Sequence, residues 1–252
     1  MLKSVGATPA KALDAAARRN RLLGQLPEQE LNTILAGASL VELQQPRVLY
    51  RDFARVPAVY FPVTAVVSLV VGAEEVSGVE IATIGNEGVA GAGAVLGVPL
   101  SFGRTLVQVS GQAVAVGARD ATRLLCEQPS VSNLIRRYLY AFIREIAQAG
   151  ACNRLHTVEE RCARLLLLTH DRAGTDQFAL TQEFLAAMMG SQRATVNLAL
   201  AVLRNAGAIQ YGYRTLKVLD RGELESFSCP CYSLIRKAFE VVRLDSPVAN
   251  NC

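Results

Sequence analysis

The fold is indicated most directly by residues 180–220, LTQEFLAAMMGSQRATVNLALAVLRNAGAIQYGYRTLKVLD. A short helix is predicted to begin after Thr181, whose hydroxyl suits an N-cap, and Gly190 supplies a tight turn. Ser191 is predicted to cap a second, longer helix that Gly207 closes. Two short strands about a glycine-containing turn follow. This order of helix, turn, helix and hairpin is typical of a winged helix-turn-helix.

The net positive charge of the chain lies in the same region. The 252 residues include 26 Lys and Arg against 22 Asp and Glu, a formal net charge of +4. Residues 186–221 contain five basic residues and one acidic residue, and therefore account for the whole surplus. A local positive field on a helix-turn-helix is what phosphate binding needs. Double-stranded DNA is the predicted partner, with an affinity that falls as salt rises.

The predicted DNA contacts come from three places in this segment. The start of the second helix enters the major groove in such domains, where Arg pairs with guanine and Gln with adenine. The N-terminus of the second helix, with its Ser191 cap, and the residues of the hairpin wing are placed for the phosphate backbone. The candidate DNA-binding residues are Thr181, Gln182, Ser191, Gln192, Arg193, Thr195, Asn197, Tyr213, Arg214 and Lys217.

Upstream of this segment, the hydrophobic pattern is first helical and then typical of strands. Residues 22–37 place leucines and isoleucine on one helical face, with Gly37 as a stop. From about residue 40 to 117, short apolar runs separated by Gly, Pro and Ser predict an all-β sandwich or roll.

Residues 56–73 contain no formal charge, but Pro57 and Pro62 favour short buried strands over a membrane span. No membrane association is therefore expected, and the predicted location is cytoplasmic.

A long helix is predicted after Pro129, where the apolar period changes from 2 to about 3.6. We expect a second copy of the helix to cover its apolar stripe, which makes a homodimer seam. The alternative is that the stripe packs entirely on its own domain. The predicted seam residues are Ile135, Tyr138, Phe142, Ile146 and Ala149.

The order of β-roll, long helix and winged helix-turn-helix resembles the Crp/Fnr family of bacterial transcription regulators. The resemblance covers nearly all of residues 22–225 and is most specific in the helix-turn-helix. It implies a homodimer that reads a palindromic operator and, in an activator, contacts RNA polymerase. The family commonly has Glu and a later Arg in the recognition helix, where this chain has Ala194 and Leu198. Since Ala cannot accept a hydrogen bond from cytosine, a different half-site is expected.

The resemblance also implies an effector cassette in the roll, for which the candidate residues are Gly88, Gly91, Arg104 and Thr105. Arg104 and Thr105 match the pair that holds the cyclic phosphate in cyclic-nucleotide-binding members, and a guanidinium with a hydroxyl suits an anion. The family's ribose-binding Glu is replaced, because Ala92 follows Gly91. A vestigial site braced by Arg104 is favoured over cyclic-nucleotide binding. No cofactor is firmly predicted.

Enzymatic and metal chemistry are not expected. A metal-dependent cupin-type enzyme, which also uses a β-roll, needs several His, and residues 40–125 contain none. The Cys229-Pro230-Cys231 pair is interpreted as ordinary thiols rather than a metal site, and His156 as a hydrogen-bonded or solvated side chain. The predicted function is a sequence-specific homodimeric transcription regulator with an effector-sensing or vestigial roll. The alternatives are a constitutive, ligand-independent regulator or a cupin-like enzyme.

The fold class is α+β, with five predicted segments. They are an N-terminal arm (1–21), a cyclic-nucleotide-binding-like double-stranded β-roll (22–127), a dimerisation helix (128–157), a winged helix-turn-helix (158–226) and a C-terminal extension of unknown purpose (227–252).

Overall fold

Two antiparallel sheets in the N-terminal half enclose the first hydrophobic core. The computed structural model describes residues 10–72, 78–212 and 214–243. Within them, one sheet has the order β1-β7-β3 and the other β2-β6-β4-β5. The strands are β1 (Ala38–Leu43), β2 (Val48–Tyr50), β3 (Ala58–Pro62), β4 (Val66–Val71), β5 (Val79–Ile84), β6 (Arg104–Val109) and β7 (Gly111–Gly117). The predicted β-roll is therefore confirmed.

Strand β4 explains why part of the roll reads as a nearly continuous apolar run. Val67 and Leu69 face the core between the two sheets. Val66 and Val70 point the other way, into a second core shared with the C-terminal domain. Because successive side chains of a strand point to opposite faces, a strand covered on both faces is largely apolar along its length. The four-stranded sheet thus has the C-terminal domain packed on its outer face.

Helices surround the roll. Residues 10–19 of the predicted arm form a helix, and residues 1–9 lie outside the described part. The helical face predicted over 22–37 is divided at Pro27, which precedes the first residue of α2, and a short 3-10 turn (Leu23–Gln25) comes before it. The helices of this half are α1 (Ala10–Arg19), α2 (Glu28–Leu35), α3 (Ala92–Val95), α4 (Ala118–Glu127) and the long α5 (Pro129–Leu155).

The apolar stripe of α5 is covered by the chain itself. Ile135, Tyr138, Phe142 and Ala149 are each at most 4% exposed, and Ile146 packs partly buried against the same core. The Tyr138 hydroxyl donates to the carbonyl of Val89 at 3.2 Å. The assignment of these five residues to a dimer seam is therefore corrected. A sheet must bury its apolar face against another element, and this face of α5 covers the sheet within the same chain.

The C-terminal domain consists of helices and a small sheet. Thr157 and Glu160 form a capping box that begins α6 (Val158–Ala173). Strand β8 (Gln177–Ala179) was not predicted, and it makes the wing three-stranded in the order β8-β10-β9. The other elements are α7 (Gln182–Met189), α8 (Arg193–Asn205), β9 (Ile209–Tyr211), β10 (Thr215–Val218), α9 (Arg221–Ser226) and α10 (Cys231–Val241).

The C-terminal extension folds back along α5. Arg137 on α5 donates to the carbonyl of Val242 at 2.7 Å, and the rings of Tyr138 and Phe239 lie 6.2 Å apart. At the other end, Gln148 donates to the Cys231 sulfur at 3.1 Å. Helix α10 therefore covers a face of α5 that the roll leaves open. Across the described ranges, we find no helix with the length and hydropathy needed to cross a bilayer.

Candidate nucleic-acid interface

Helices α7 and α8 form a tight helix-turn-helix unit through local sequence signals. The Thr181 hydroxyl accepts from the Phe184 amide at 3.1 Å, which caps α7 as expected. Gly190 ends α7 with a φ of 57°, a conformation that glycine adopts at little cost. Gln192, not Ser191, is the N-cap of α8, and its side chain makes no capping bond. Ser191 instead donates to the carbonyl of Met189 at 3.3 Å, so its predicted capping role is corrected.

The first turn of α8 is the most open part of this unit. Gln192, Arg193 and Ala194 are exposed, whereas Thr195 and Asn197 are half-buried. Arg193 forms a surface ion pair with Glu183 of α7 at 2.8 Å. The sequence reasoning missed Glu183, because nothing in the spacing of ten residues marks the pair. The pair holds the guanidinium over the exposed start of α8.

The outer face of α8 continues as an apolar strip. Leu198 is 67% exposed and Val202 is 42% exposed, one turn apart. They follow Ala194 at helical spacing, and the related regulators were expected to carry polar groups at the positions of Ala194 and Leu198. Apolar side chains in a major groove contact thymine methyl groups and offer no hydrogen bond to cytosine or guanine. The exposed start of α8 therefore combines the guanidinium of Arg193 and the amide of Gln192 with a hydrophobic strip.

The wing presents further cations beside α8. Lys217 is exposed on β10, the central strand, opposite Gln210 and Gln177. Arg214 is exposed at the turn, and Tyr213 lies outside the described residues. Arg221, which was counted in the basic surplus, is turned away from this surface and pairs with Asp171 at 2.7 Å and Glu225 at 2.9 Å. The positive field of the interface rests on the remaining cations of α8 and the wing.

The comparisons with known proteins agree with this geometry. Residues 160–227 match the model of the Crp-like helix-turn-helix domain. The chain carries a Crp-like helix-turn-helix. No curated protein matches the sequence significantly. Over 83% of the chain the fold is that of a regulator assigned to the Crp/Fnr family, so the resemblance predicted from the sequence is confirmed.

Three solved structures illustrate the shared fold. FixK2 from Bradyrhizobium japonicum has a TM-score of 0.64 at 18% identity, covering 76% of this chain and 98% of that one. A CRP-family transcriptional regulator from Thermus thermophilus has a TM-score of 0.59 at 19% identity, with 74% and 95% covered. The c-di-GMP-responsive regulator CLP of Xanthomonas campestris has a TM-score of 0.59 at 14% identity, with 76% and 99% covered.

Within the described residues of the roll, the cavity lined by two of the predicted effector residues is much smaller than a ligand-binding pocket. Gly91 and Thr105 line a cavity of about 10 Å³ together with Phe102 and Phe142, whose rings lie 6.3 Å apart. That volume is at the lower limit for one water molecule, whereas small-molecule pockets measure about 300–1,000 Å³. Gly88 lies away from this space: a Cβ there would come within 2.7 Å of the Tyr138 ring. Arg104 and Gly88 are absent from the residues lining this cavity.

A larger cavity of about 520 Å³ lies outside the roll, between α1, α5, α6 and α10. Most arginines that line it already have carboxylate partners. Arg18 pairs with Asp14, Arg172 with Glu87 and Glu145, Arg221 with Asp171 and Glu225, and Arg236 with Glu240.

The structure also brings together four potential metal ligands that the sequence kept apart. The ligand atoms of Cys152, His156, Cys229 and Cys231 all lie within 4.8 Å of one another. The pKa of the Cys152 thiol falls from 9.0 to about 5, chiefly through its hydrogen bond with Cys229 and, against desolvation, through the charge of Arg164. The interpretation of the Cys229-Pro230-Cys231 pair as ordinary tail thiols overlooked this neighbourhood. The one sequence signal was the Cys152-x-x-x-His156 spacing, which places both side chains on one helix face.

Proposed function

We propose that the protein is a sequence-specific, homodimeric transcription regulator that binds double-stranded DNA and has no enzymatic activity. The observation that carries the proposal is the exposed start of α8, where Gln192 and Arg193 stand clear of the core beside the cationic wing. Side chains of this kind at this place read base edges in the major groove. The Crp-like domain match and the fold shared with transcriptional regulators support the same function.

Residue roles follow from position. Gln192 and Arg193 read base edges, with the half-buried Thr195 and Asn197 alongside them. Thr181, Gln182 and Ser191 lie at helix starts, where backbone amides favour a DNA phosphate. Arg214 and Lys217 contact the phosphate backbone through the wing, and Tyr213 is proposed for the same role from the sequence alone. The apolar strip of Leu198 and Val202, together with Ala194, favours thymine-containing half-sites.

The homodimer uses a different face of α5 from the one expected. Exposed residues recur along α5 at alternating steps of four and three, the spacing of a coiled-coil seam. Tyr140 and Ile143 are 63% and 61% exposed. Ala147 and Gly150 follow, and a Cβ at Gly150 would meet no atom within 4 Å. A second copy of α5 covers this stripe: Arg136, Tyr140, Ile143, Ala147, Gly150 and Arg154.

The roll takes no cyclic nucleotide, and its cassette is vestigial. The space of about 10 Å³ beside Thr105, which Phe102 and Phe142 line, supports this. The structural neighbour CLP of Xanthomonas campestris is named as c-di-GMP-responsive. That name concerns CLP alone and indicates only that a protein of this fold can respond to a nucleotide. A constitutive regulator controlled by its abundance is the second candidate, favoured by the same closed cavity.

Selection of bound duplexes from a random pool, at a stated salt concentration, tests the main proposal. We expect a palindromic motif whose half-sites lie about 34 Å apart, one turn of DNA. Recovery of unenriched sequence, or of a motif without two-fold symmetry, would contradict a sequence-specific homodimer. Transcription in vitro with RNA polymerase, on a template carrying the selected motif, then separates activation from repression.

A further inference from the structure

We propose that Cys152, His156, Cys229 and Cys231 bind one tetrahedral zinc ion, which fastens the C-terminal extension to the end of α5. The four residues come from two places 73 or more positions apart. Cys152 and His156 are one turn apart at the end of α5, and Cys229 and Cys231 flank Pro230 at the start of α10. The site does not depend on the proposed DNA-binding function.

The spacing of the ligand atoms matches a zinc tetrahedron. With zinc–sulfur bonds of about 2.3 Å, two sulfurs of a tetrahedral site lie about 3.8 Å apart. The Cys152 and Cys229 sulfurs are 3.5 Å apart, and the Cys231 sulfur is 3.5 Å from Nδ1 of His156. All remaining pairs lie within 4.8 Å. The largest separation therefore exceeds the tetrahedral sulfur–sulfur spacing by about 1 Å at most.

The donor set selects the metal. Three thiolates and one imidazole suit zinc, whereas magnesium and calcium prefer oxygen ligands. Cys152, Cys229 and Cys231 are each at most 2% exposed and form a small cluster of their own, separate from the two large hydrophobic cores. With the imidazole of His156, the three buried thiols form a closed four-ligand set typical of structural zinc.

The surroundings are suited to the charge of such a site. Zinc with three thiolates carries one net negative charge, and Arg161 and Arg164 both interact electrostatically with Cys152. Arg164 is 7% exposed, and its Nε has no hydrogen-bond acceptor among the described residues. Gln148 donates to the Cys231 sulfur at 3.1 Å. Hydrogen bonds of this kind around the ligands orient them and tune the metal.

The ion would lie at the joint where the DNA-binding domain begins. His156 is the C-cap of α5, and Thr157 is the N-cap of α6. Arg161, one turn into α6, also donates to the carbonyl of Met189 at the end of α7, at 2.5 Å. A metal at this joint therefore holds together the end of α5, the start of α10 and, through Arg161, the helix-turn-helix.

The test uses the full chain, purified anaerobically with reductant, stripped with a chelator and titrated with zinc or cobalt. We expect one zinc per chain by elemental mass spectrometry, and the visible bands of tetrahedral thiolate-bound cobalt. Cys229→Ser and Cys231→Ser should each lower zinc affinity more than about 100-fold. Removing an outer-shell group costs about 10–100-fold, so Gln148→Leu should have that smaller effect.

Matched controls separate a metal site from a general need for thiols. Cys126→Ser changes an exposed thiol and Cys162→Ala a buried one, both outside the cluster, and each should keep one zinc. His156→Cys should also keep zinc while shifting the cobalt spectrum, which decides the matter if a serine variant fails to fold. The proposal is overturned by the lack of stoichiometric metal, by equal loss in Cys126→Ser, or by a Cys152–Cys229 disulfide in the anaerobic protein.

Discussion

Arg172 on α6 donates to Glu145 on α5 at 2.8 Å, and both side chains are almost fully buried. The same guanidinium donates to Glu87, in the loop after β5, at 2.7 Å. At Gly85 an added Cβ would lie 2.3 Å from Cβ of Arg172, so the loop closes tightly over the arginine. One buried cation thus joins the DNA-binding domain to the long helix and to the roll.

Removing this cation should destabilise the protein strongly. Arg172→Met leaves two carboxylates buried without their partner, which we expect to lower the free energy of unfolding by about 3–5 kcal/mol. Urea denaturation measures the loss. The control is Glu183→Gln, which removes the exposed pair with Arg193 and should cost less than about 1 kcal/mol. Equal losses in the two variants would contradict a structural role for the buried cluster.

Stability should fall as pH rises from about 4.5 to 7 because of Glu80. Burial raises the pKa of this carboxyl from 4.5 to about 7, against hydrogen bonds from Ser68 and Thr83 and the charge of Arg164, while Glu145 adds to the rise. The folded chain therefore holds a proton that the unfolded chain releases in this window. The stability that the protonated Glu80 contributes is fully present below pH 4.5, the pKa in the unfolded chain, and is lost as the pH rises through about 7, the pKa in the folded chain. The loss is on the order of 3 kcal/mol.

Glu80→Gln checks this pH dependence, since the amide cannot titrate. The free energy of unfolding of the variant, measured by urea denaturation at several pH values, should change less between pH 4.5 and 7 than that of the parent. Glu183→Gln, an exposed change, should leave the parent profile intact. A Glu80→Gln profile as steep as the parent's would show that other groups produce the slope.

Arg193 and Lys217 should affect DNA binding differently. Arg193→Ala removes a base-reading group and should relax preference at one position of each half-site, at a cost of about 1–3 kcal/mol on the preferred sequence. Lys217→Ala should weaken binding about equally on all sequences and reduce the salt slope by about one per protomer. Binding titrations on the selected site and on single-base variants measure both effects. Unchanged preference in Arg193→Ala would mean that another residue reads that base.

Two neighbouring residues of α5 should separate dimerisation from folding. Ile143→Glu puts a charge on the exposed stripe and should give a folded monomer, because the two charges would face each other in the seam. Phe142→Ala leaves a cavity in the chain's own core and should lower the free energy of unfolding by about 3–5 kcal/mol. Analytical ultracentrifugation and urea denaturation give the two readouts. A dimeric Ile143→Glu protein would place the seam elsewhere.

Cyclic nucleotides should not stabilise the protein. A ligand at about 100 times its Kd adds about 2.7 kcal/mol of stability, which a thermal melt detects readily. With cyclic AMP or cyclic GMP at millimolar concentration we expect an unchanged Tm, because the space beside Thr105 and Phe142 holds about 10 Å³. A rise in Tm that disappears in Arg104→Ala would establish a working cassette instead.

The helix-turn-helix was predictable because its signals are local. Thr181 and Gly190 act on their own turn of chain, through a cap and a left-handed conformation, so their roles follow from sequence neighbours alone. The third wing strand escaped prediction because Gln177–Ala179 is too short to show a period and exists only by pairing with β10. The apolar face predicted as one helix over residues 22–37 is likewise divided at Pro27, because periodicity alone does not show where a helix is interrupted.

The sequence by itself determined the order of roll, long helix and helix-turn-helix and the region that carries the excess charge, since these depend on short-range periodicity and local composition. The tertiary structure decided which face of α5 is buried, because the helix has apolar residues on two faces. The face with Tyr138 and Phe142 packs on the roll, and the face with Tyr140 and Ile143 stays exposed. It also decided that the Phe102 and Phe142 rings lie 6.3 Å apart beside Thr105, and that Arg221 pairs with Asp171 rather than facing the exposed start of α8. Only the folded chain brings Cys152 and Cys229 together, because no local pattern records contacts between residues so distant in sequence.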